Sequence, residues 1–336
     1  MPAREPVKLA VTMGDPRSIG PEIILKLLAG GELPAEVRLL VVGSCEVLGA
    51  EAKNLGIAAP EGRADEAGRW GGPVAVLDMG NFPAAAVTPR RPDAVSGRAS
   101  LDYIERAIGL ALSGAVDGVV TCPISKEAIG AAGSAFPGHT EMLAALSGGA
   151  RPVMLLVNGG LRVALATTHV ALRDVPSLLT PDLIVEQARV VVAGLRRYFA
   201  VPEPRLAVCG LNPHCGDGGR FGDEEARIVE PAIRAAAEEG IVLIGPKPAD
   251  TVFAQAAEGR YDAVIALYHD QGMIPVKMAG LGQVVNVTLG LPIIRTSVGH
   301  GTAYDIAGQG LADPGSLKAA VGLAAGMARA SRGHVL

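Results

Sequence analysis

Three short apolar runs decide what this chain can fold into. Residues 161–168 (LRVALATT), 206–211 (LAVCGL) and 263–267 (AVIAL) carry almost no alternation of apolar and polar side chains. A strand with one wet face alternates, whereas a continuous run belongs to a strand buried on both faces, as in a parallel sheet covered by helices. Each run gives way to polar residues that include a histidine: His169 after the first, Asn212, Pro213 and His214 after the second, and Tyr268, His269, Asp270, Gln271 and Gly272 after the third. In open α/β sheets, ligands bind outside the carboxyl ends of the strands. Imidazole is the commonest side-chain ligand for Zn²⁺ and similar ions, and three protein ligands with an open position make a catalytic site. No local metal motif such as HExxH occurs, so the signal is the repeated order of strand then histidine. The competing reading is three unrelated histidines.

The rest of the chain keeps the same alternation. Strands are predicted at 8–13, 39–43, 74–77, 117–121 and 284–288, and helices at 19–28, 99–112, 142–146, 181–198 and 224–239. Pro21 and Pro181 fall in first helical turns, where a missing N–H costs little. The turn GDPRSIG before the first helix could suit an anion, although it is neither GxGxxG nor a P-loop. At 136–141 (FPGHTE), either a helix N-terminus faces a ligand or Thr140 simply caps the helix. Asp250 lies in the turn PKPADT, with capping of the following TVFAQAA segment as the alternative. The loop CGDGGRFGDEE after His214 lets backbone approach a ligand, and an ordinary surface turn needs the same residues.

Composition narrows the class. The chain has 336 residues, long enough for two domains, and 49% hydrophobic content with 44 glycines suits α/β layers. Aromatics at 3% and a formal charge of −4 argue against nucleic acid as a partner. Cys45, Cys122, Cys209 and Cys215 form no CxxC pair, which fits a reducing compartment. No run reaches the roughly 18 apolar residues of a membrane span. The expectation is a cytoplasmic enzyme without membrane or nucleic-acid partners.

In order, GHTE (138–141), ATTH (166–169), GLNPH (210–214), PADT (248–251), YHDQG (268–272) and NVTLGLPIIRTSVGHGTA (286–303) make the chain resemble the 4-hydroxythreonine-4-phosphate dehydrogenase family of vitamin B6 biosynthesis, nearly end to end. The tail GHGTAYDIAGQG is also similar to the HGSAPDIAG loop of isopropylmalate and isocitrate dehydrogenases. The resemblance implies an isocitrate/isopropylmalate dehydrogenase-like fold, with two α/β domains flanking a cleft: residues 1–138 plus 296–336 form the first, on the cofactor side, and 139–295 the second. It implies a homodimer with a shared active site. Metal ligands would be His169, His214 and His269, the last from the other subunit. His139, Thr140, Lys277, Asn286 and Arg295 would bind substrate, Gly301 and Asp305 the NAD or NADP cofactor, and Asp250 would be a site carboxylate. Where the family reads GDPAGIGPE, this chain has Arg17 and Ser18.

The implied reaction is oxidation of the C3 alcohol of 4-phosphooxy-L-threonine by NAD(P)⁺, then loss of CO₂ to give 3-amino-2-oxopropyl phosphate. One divalent ion per site (Zn, Co, Mn or Mg) would polarise the hydroxyl and stabilise the enolate left by decarboxylation. Imidazole ligands favour Zn²⁺, Co²⁺, Mn²⁺ or Fe²⁺ over Mg²⁺. Asp250, Lys277 or a metal-bound water could take the proton. Sister families oxidise 4-phospho-D-threonate, 4-phospho-D-erythronate or a dihydrodiol dicarboxylate; GHTE favours a phosphorylated substrate over the dihydrodiol. A metal-dependent phosphatase or lyase without redox cofactor is the alternative from another class, and the GHGTAYDIAG tail argues against it. A metal-binding protein without catalysis would have no use for Lys277, Asn286 and Arg295.

Overall fold

The structure, a computed structural model, describes residues 5–333 except Glu32, Pro137 and Ala150, and leaves the Leu281 side chain undescribed. Pro137 of the FPGHTE segment and both extreme ends of the predicted first domain thus lie outside the described residues. Among those described, eleven strands follow in chain order: β1 (Val7–Thr12), β2 (Val37–Gly43), β3 (Val74–Asp78), β4 (Gly118–Thr121), β5 (Val153–Asn158), β6 (Leu161–Leu165), β7 (Arg205–Cys209), β8 (Val242–Lys247), β9 (Ala263–Ala266), β10 (Val285–Leu289) and β11 (Ile294–Val298).

The chain divides into two compact units, one of Met1–Pro152 with Leu291–Arg329 and one of Val153–Gly290 with the chain end from Ala330. The changeovers therefore fall at 152/153 and 290/291 rather than at 138/139 and 295/296. His139 and Arg295 both belong to the first unit.

In the first unit the strand order is β3-β2-β1-β4-β11, all parallel. β1, β2 and β4 are buried along almost their whole length, which is why their sequences do not alternate. In the second unit the order is β10-β5-β6-β9-β7-β8. β6, β9, β7 and β8 run parallel to one another, while β5 pairs antiparallel with β10 and β6. Thus β6, β9 and β7, the strands from the three apolar runs, lie side by side and end at the same edge. Each is shorter than its run, and the leftover residues form the exits that carry the histidines.

Three strands and several helices escape a sequence reading, Cys45–Leu55, His269–Met278 and Gly315–Gly333 among them. β8 contains Gly245 and Pro246, and it is an edge strand, where a missing N–H is tolerated. β11 carries Arg295 in the interior of a wholly buried strand. β5 (VMLLVN) has no such disguise. The helix His269–Met278 is masked by Gly272 and Pro275. A Cβ on Gly272 would lie 2.5 Å from Leu165 Cδ2, so the glycine lets this helix pack directly on β6.

The GDPRSIG turn is buried from end to end and is filled by the chain itself. Cβ atoms on Gly14 and Gly20 would come within 2.3 Å of the Pro123 carbonyl and 2.1 Å of the Met13 carbonyl. Asp15, fully buried, accepts hydrogen bonds from Arg17 N (2.9 Å), Ser96 Oγ (2.9 Å) and Tyr304 OH (2.8 Å), and burial pushes its carboxyl above the usual range. An anion-binding role for this turn is therefore not supported, because Asp15 already occupies it. Arg17 turns inward: it pairs with Asp93 at 2.7 Å, donates to Ala86 O at 2.8 Å and lies over the Phe82 ring. Asp93 in turn caps the helix Ala94–Leu112. Arg17→Ala should cost about 2 kcal/mol, the value of a hydrogen-bonded charge whose partner is part-exposed, read from urea unfolding.

Candidate active site

The exits of β6, β9 and β7 are tied to one another by side chains. Thr167 Oγ1 donates to Leu267 O at 2.7 Å, joining the first two. Gln271, 7% exposed, accepts from Leu267 N (2.6 Å) and donates to Gly210 O (2.8 Å), joining the second and third. An amide does this where a carboxylate could not, because it must accept at one end and donate at the other. The importance of Gln271 was not visible in the sequence; the i, i+4 step from Leu267 across a strand-to-helix turn was the only clue.

On this frame His169 and His269 come together, with ring centroids 5.7 Å apart and planes tilted by 41°. Both line a cavity of about 360 Å³ with Thr168, Tyr268 and Asp270. His269 Nδ1 lies 2.6 Å from Asp270 Oδ1. In a neutral imidazole, donation from Nδ1 to that carboxylate leaves the Nε2 lone pair for a ligand, the usual support for a metal-ligating histidine. These two residues fit a divalent ion. His214 is exposed in the turn Pro213–Gly216, and among the described residues no group of three or more His, Cys, Asp or Glu assembles within one chain. His214 and Cys215 both have left-handed backbone, φ 52° and 55°, at a cost of about 1–2 kcal/mol per non-glycine residue. Such strain persists only where surroundings enforce it and gathers at functional sites.

The other candidates of this unit are Asp250, Lys277 and Asn286. Asp250 is exposed and lines a second cavity of about 570 Å³ with Phe253, Tyr268 and Ile274. The helix Val252–Ala257 takes Thr251 as its N-cap without a side-chain bond, so the capping alternative for Asp250 does not hold. Lys277 is half-buried in the last turn of the helix His269–Met278. Asn286 sits on β10 with its Oδ1 enclosed and without a hydrogen-bond partner.

In the first unit, Arg295 is 2% exposed at the second position of β11, and its Nη2 donates to Thr121 Oγ1 on β4 at 2.8 Å. Burial pulls its pKa down to about 10 against the pull of Glu141, so the guanidinium stays charged at neutral pH. His139 opens the helix His139–Ser147, with Gly138 as N-cap and no side-chain cap, so Thr140 does not cap it either. Burial, aided by the Arg295 charge, pushes His139 well below its ordinary pKa, and its Nε2 is enclosed without a partner. A buried cation beside a neutral imidazole is a setting that an anion would relieve.

The tail loop is held from behind. The buried carboxylate of Glu22 accepts from Gly308 N (3.2 Å) and Ala312 N (2.8 Å), and Lys26 donates to the carbonyls of Gly310 and Ala312. Tyr304 reaches Asp15, while Asp305 is exposed and Gly301 has open space where a Cβ would be. The Glu22 clamp was another residue that sequence reasoning missed, since Glu in a first helical turn reads as dipole compensation.

Two parallel-stranded α/β units, with an imidazole pair at strand exits in one and a buried arginine in the other, define a dehydrogenase-type α/β enzyme once set beside known proteins. A solved 4-hydroxythreonine-4-phosphate dehydrogenase from Klebsiella pneumoniae superposes with a TM-score of 0.86 at 42% identity, covering 98% of this chain and 99% of that one. The family model of pyridoxal phosphate biosynthetic protein PdxA matches residues 35–324, and the chain belongs to that family. A 4-hydroxythreonine-4-phosphate dehydrogenase from Geobacter metallireducens is 48% identical, covering 98% of this chain and 97% of the relative. A relative from Symbiobacterium thermophilum, provisionally named a D-threonate 4-phosphate dehydrogenase, is 43% identical over 96% of this chain and 97% of its own. Among the described residues no helix is long and apolar enough to cross a membrane.

Proposed function

We infer that the chain oxidises the C3 hydroxyl of 4-phosphooxy-L-threonine with NAD(P)⁺ and releases CO₂, yielding 3-amino-2-oxopropyl phosphate for pyridoxal 5'-phosphate synthesis. The observation that carries this reading is the His169–His269 pair on one cavity, in a chain 48% identical along its length to a dehydrogenase of that name. When bound, the divalent ion acidifies the substrate hydroxyl and the oxidised nicotinamide accepts the hydride.

The chain's own groups supply the rest. His169 and His269 are the proposed ligands, with His214 as the third. In a ligand set drawn from two copies, as the resemblance implies, one imidazole comes from the partner subunit. Arg295 is the proposed fork for the phosphate, and Lys277 a proposed point charge for an anionic group of the substrate. His139, neutral at pH 7, donates a hydrogen bond there, with Thr140 beside it. The enclosed Oδ1 of Asn286 is an acceptor for the substrate's ammonium or hydroxyl. Asp250, exposed and not spent on capping, and Lys277 are the groups proposed to move the proton. Asp305 accepts the cofactor's ribose hydroxyls, with Gly301 leaving room for its approach.

A homodimer is part of the reading. Val170, Leu172 and Leu178 near the first cavity and Ile274 and Met278 beside the second are 42–82% exposed, an apolar surface of the kind that pairs with a copy. Sedimentation of the purified chain at micromolar concentration should give a dimer; a monomer would count against the shared site.

The Symbiobacterium relative favours a second reading, oxidation of 4-phospho-D-threonate. The two substrates share the phosphate and the reacting alcohol and differ at C2, amine against hydroxyl. Rates of NADH formation with 4-phosphooxy-L-threonine, 4-phospho-D-threonate and 4-phospho-D-erythronate separate them. A kcat/KM highest for the amino acid supports the first reading, and highest for a sugar acid the second.

A further inference from the structure

We propose that Glu225 is a positioning residue for the His214 imidazole, and through it for the divalent ion. Glu225 is 4% exposed and begins one turn of π-helix, Glu225–Val229. Its Oε1 accepts the backbone N–H groups of Leu211 (2.8 Å) and Asn212 (2.7 Å), the first two residues beyond Gly210 at the exit of β7. Its Oε2 accepts from Asn212 Nδ2 at 3.0 Å, and Asn212 Nδ2 also donates to Glu224 Oε2 at 2.7 Å.

The surroundings close on this contact. A Cβ on Gly216 would stand 2.9 Å from Glu225 Oε2, and one on Gly222 would stand 2.6 Å from Asn212 Nδ2. Both glycines have positive φ, 81° and 134°, so the loop on each side of the carboxylate is fitted to it. Gly210 serves the same end, since a Cβ there would meet Cys215 Sγ at 2.8 Å. With strand pairing finished, the Leu211 and Asn212 N–H groups have a buried anion as their acceptor, and charged acceptors make the stronger hydrogen bonds. The chain then turns into the left-handed pair His214–Cys215. A π-turn at the start of the supporting helix is a shape that recurs at functional sites.

The inference rests on His214 being a metal ligand, and the test separates the two. Metal-stripped wild type, Glu225→Gln and His214→Ala are titrated with Co²⁺ by calorimetry, and their metal-free unfolding is measured. In Glu225→Gln the amide oxygen can still accept both N–H groups, but the amide nitrogen turns a donor toward Asn212 Nδ2, so metal affinity should fall about 10- to 100-fold. Its kcat should return at saturating metal, which a general loss of structure would not allow. Should that variant fail to fold, Asn212→Ala, which removes one of the three donors, is expected to weaken metal by a smaller factor. Wild-type affinity in the folded Glu225 or Asn212 variant, with binding lost in His214→Ala, overturns the positioning role and leaves the ligand intact. Wild-type affinity in His214→Ala overturns the ligand reading and the inference with it.

Discussion

His214→Ala is expected to abolish dehydrogenase activity and metal binding together while leaving the fold in place. A divalent ion that acidifies an alcohol contributes several kcal/mol to the barrier, so kcat/KM should fall by about 10³-fold or more. The side chain is exposed, in a turn outside the core, so the metal-free protein should lose no more than about 1 kcal/mol. Elemental analysis after dialysis, steady-state rates and thermal unfolding check the three parts. Full activity in metal-stripped His214→Ala would refute the role assigned to this residue.

Arg295→Met should have the second-largest effect and divide function from stability in the same way. Losing a bidentate, buried guanidinium removes about 3 kcal/mol of phosphate binding, a rise of about 10²-fold in KM for the phosphorylated substrate. Stability should change by no more than about 1–2 kcal/mol. Met fills the volume on β11 and relieves a burial that already pulls the guanidinium pKa down to about 10, while the Thr121 hydroxyl loses the Nη2 donor. Arg295→Lys keeps the charge but loses the fork and should recover part of the affinity. An unchanged KM in Arg295→Met would remove this arginine from the substrate site.

How much of this was legible in the sequence follows from what each residue does. The α/β class and the three central strands could be read because burial on both faces leaves an unbroken apolar run. The His169–His269 pair followed from the same runs, since adjacent parallel strands end at one edge and bring their exits together. The unread features depend on contacts between distant segments. Gln271 matters through Gly210, 61 residues away, and Glu22 through the tail loop, 290 residues away at Ala312. Arg17 looked like a disturbance of a ligand loop, and it is an inward anchor for Asp93 and Ala86. The helix from His269 went unseen because Gly272 and Pro275 are poor helix formers, and packing of Gly272 on β6 outweighs propensity there.

The most direct test of the whole reading is NADH formation from 4-phosphooxy-L-threonine by the purified dialysed protein, followed at 340 nm with and without a chelator. The account predicts turnover that stops with the chelator and returns with added Co²⁺ or Zn²⁺, accompanied by stoichiometric CO₂. Turnover indifferent to the chelator, or no reduction of NAD⁺ or NADP⁺ by this substrate with metal present, would contradict it.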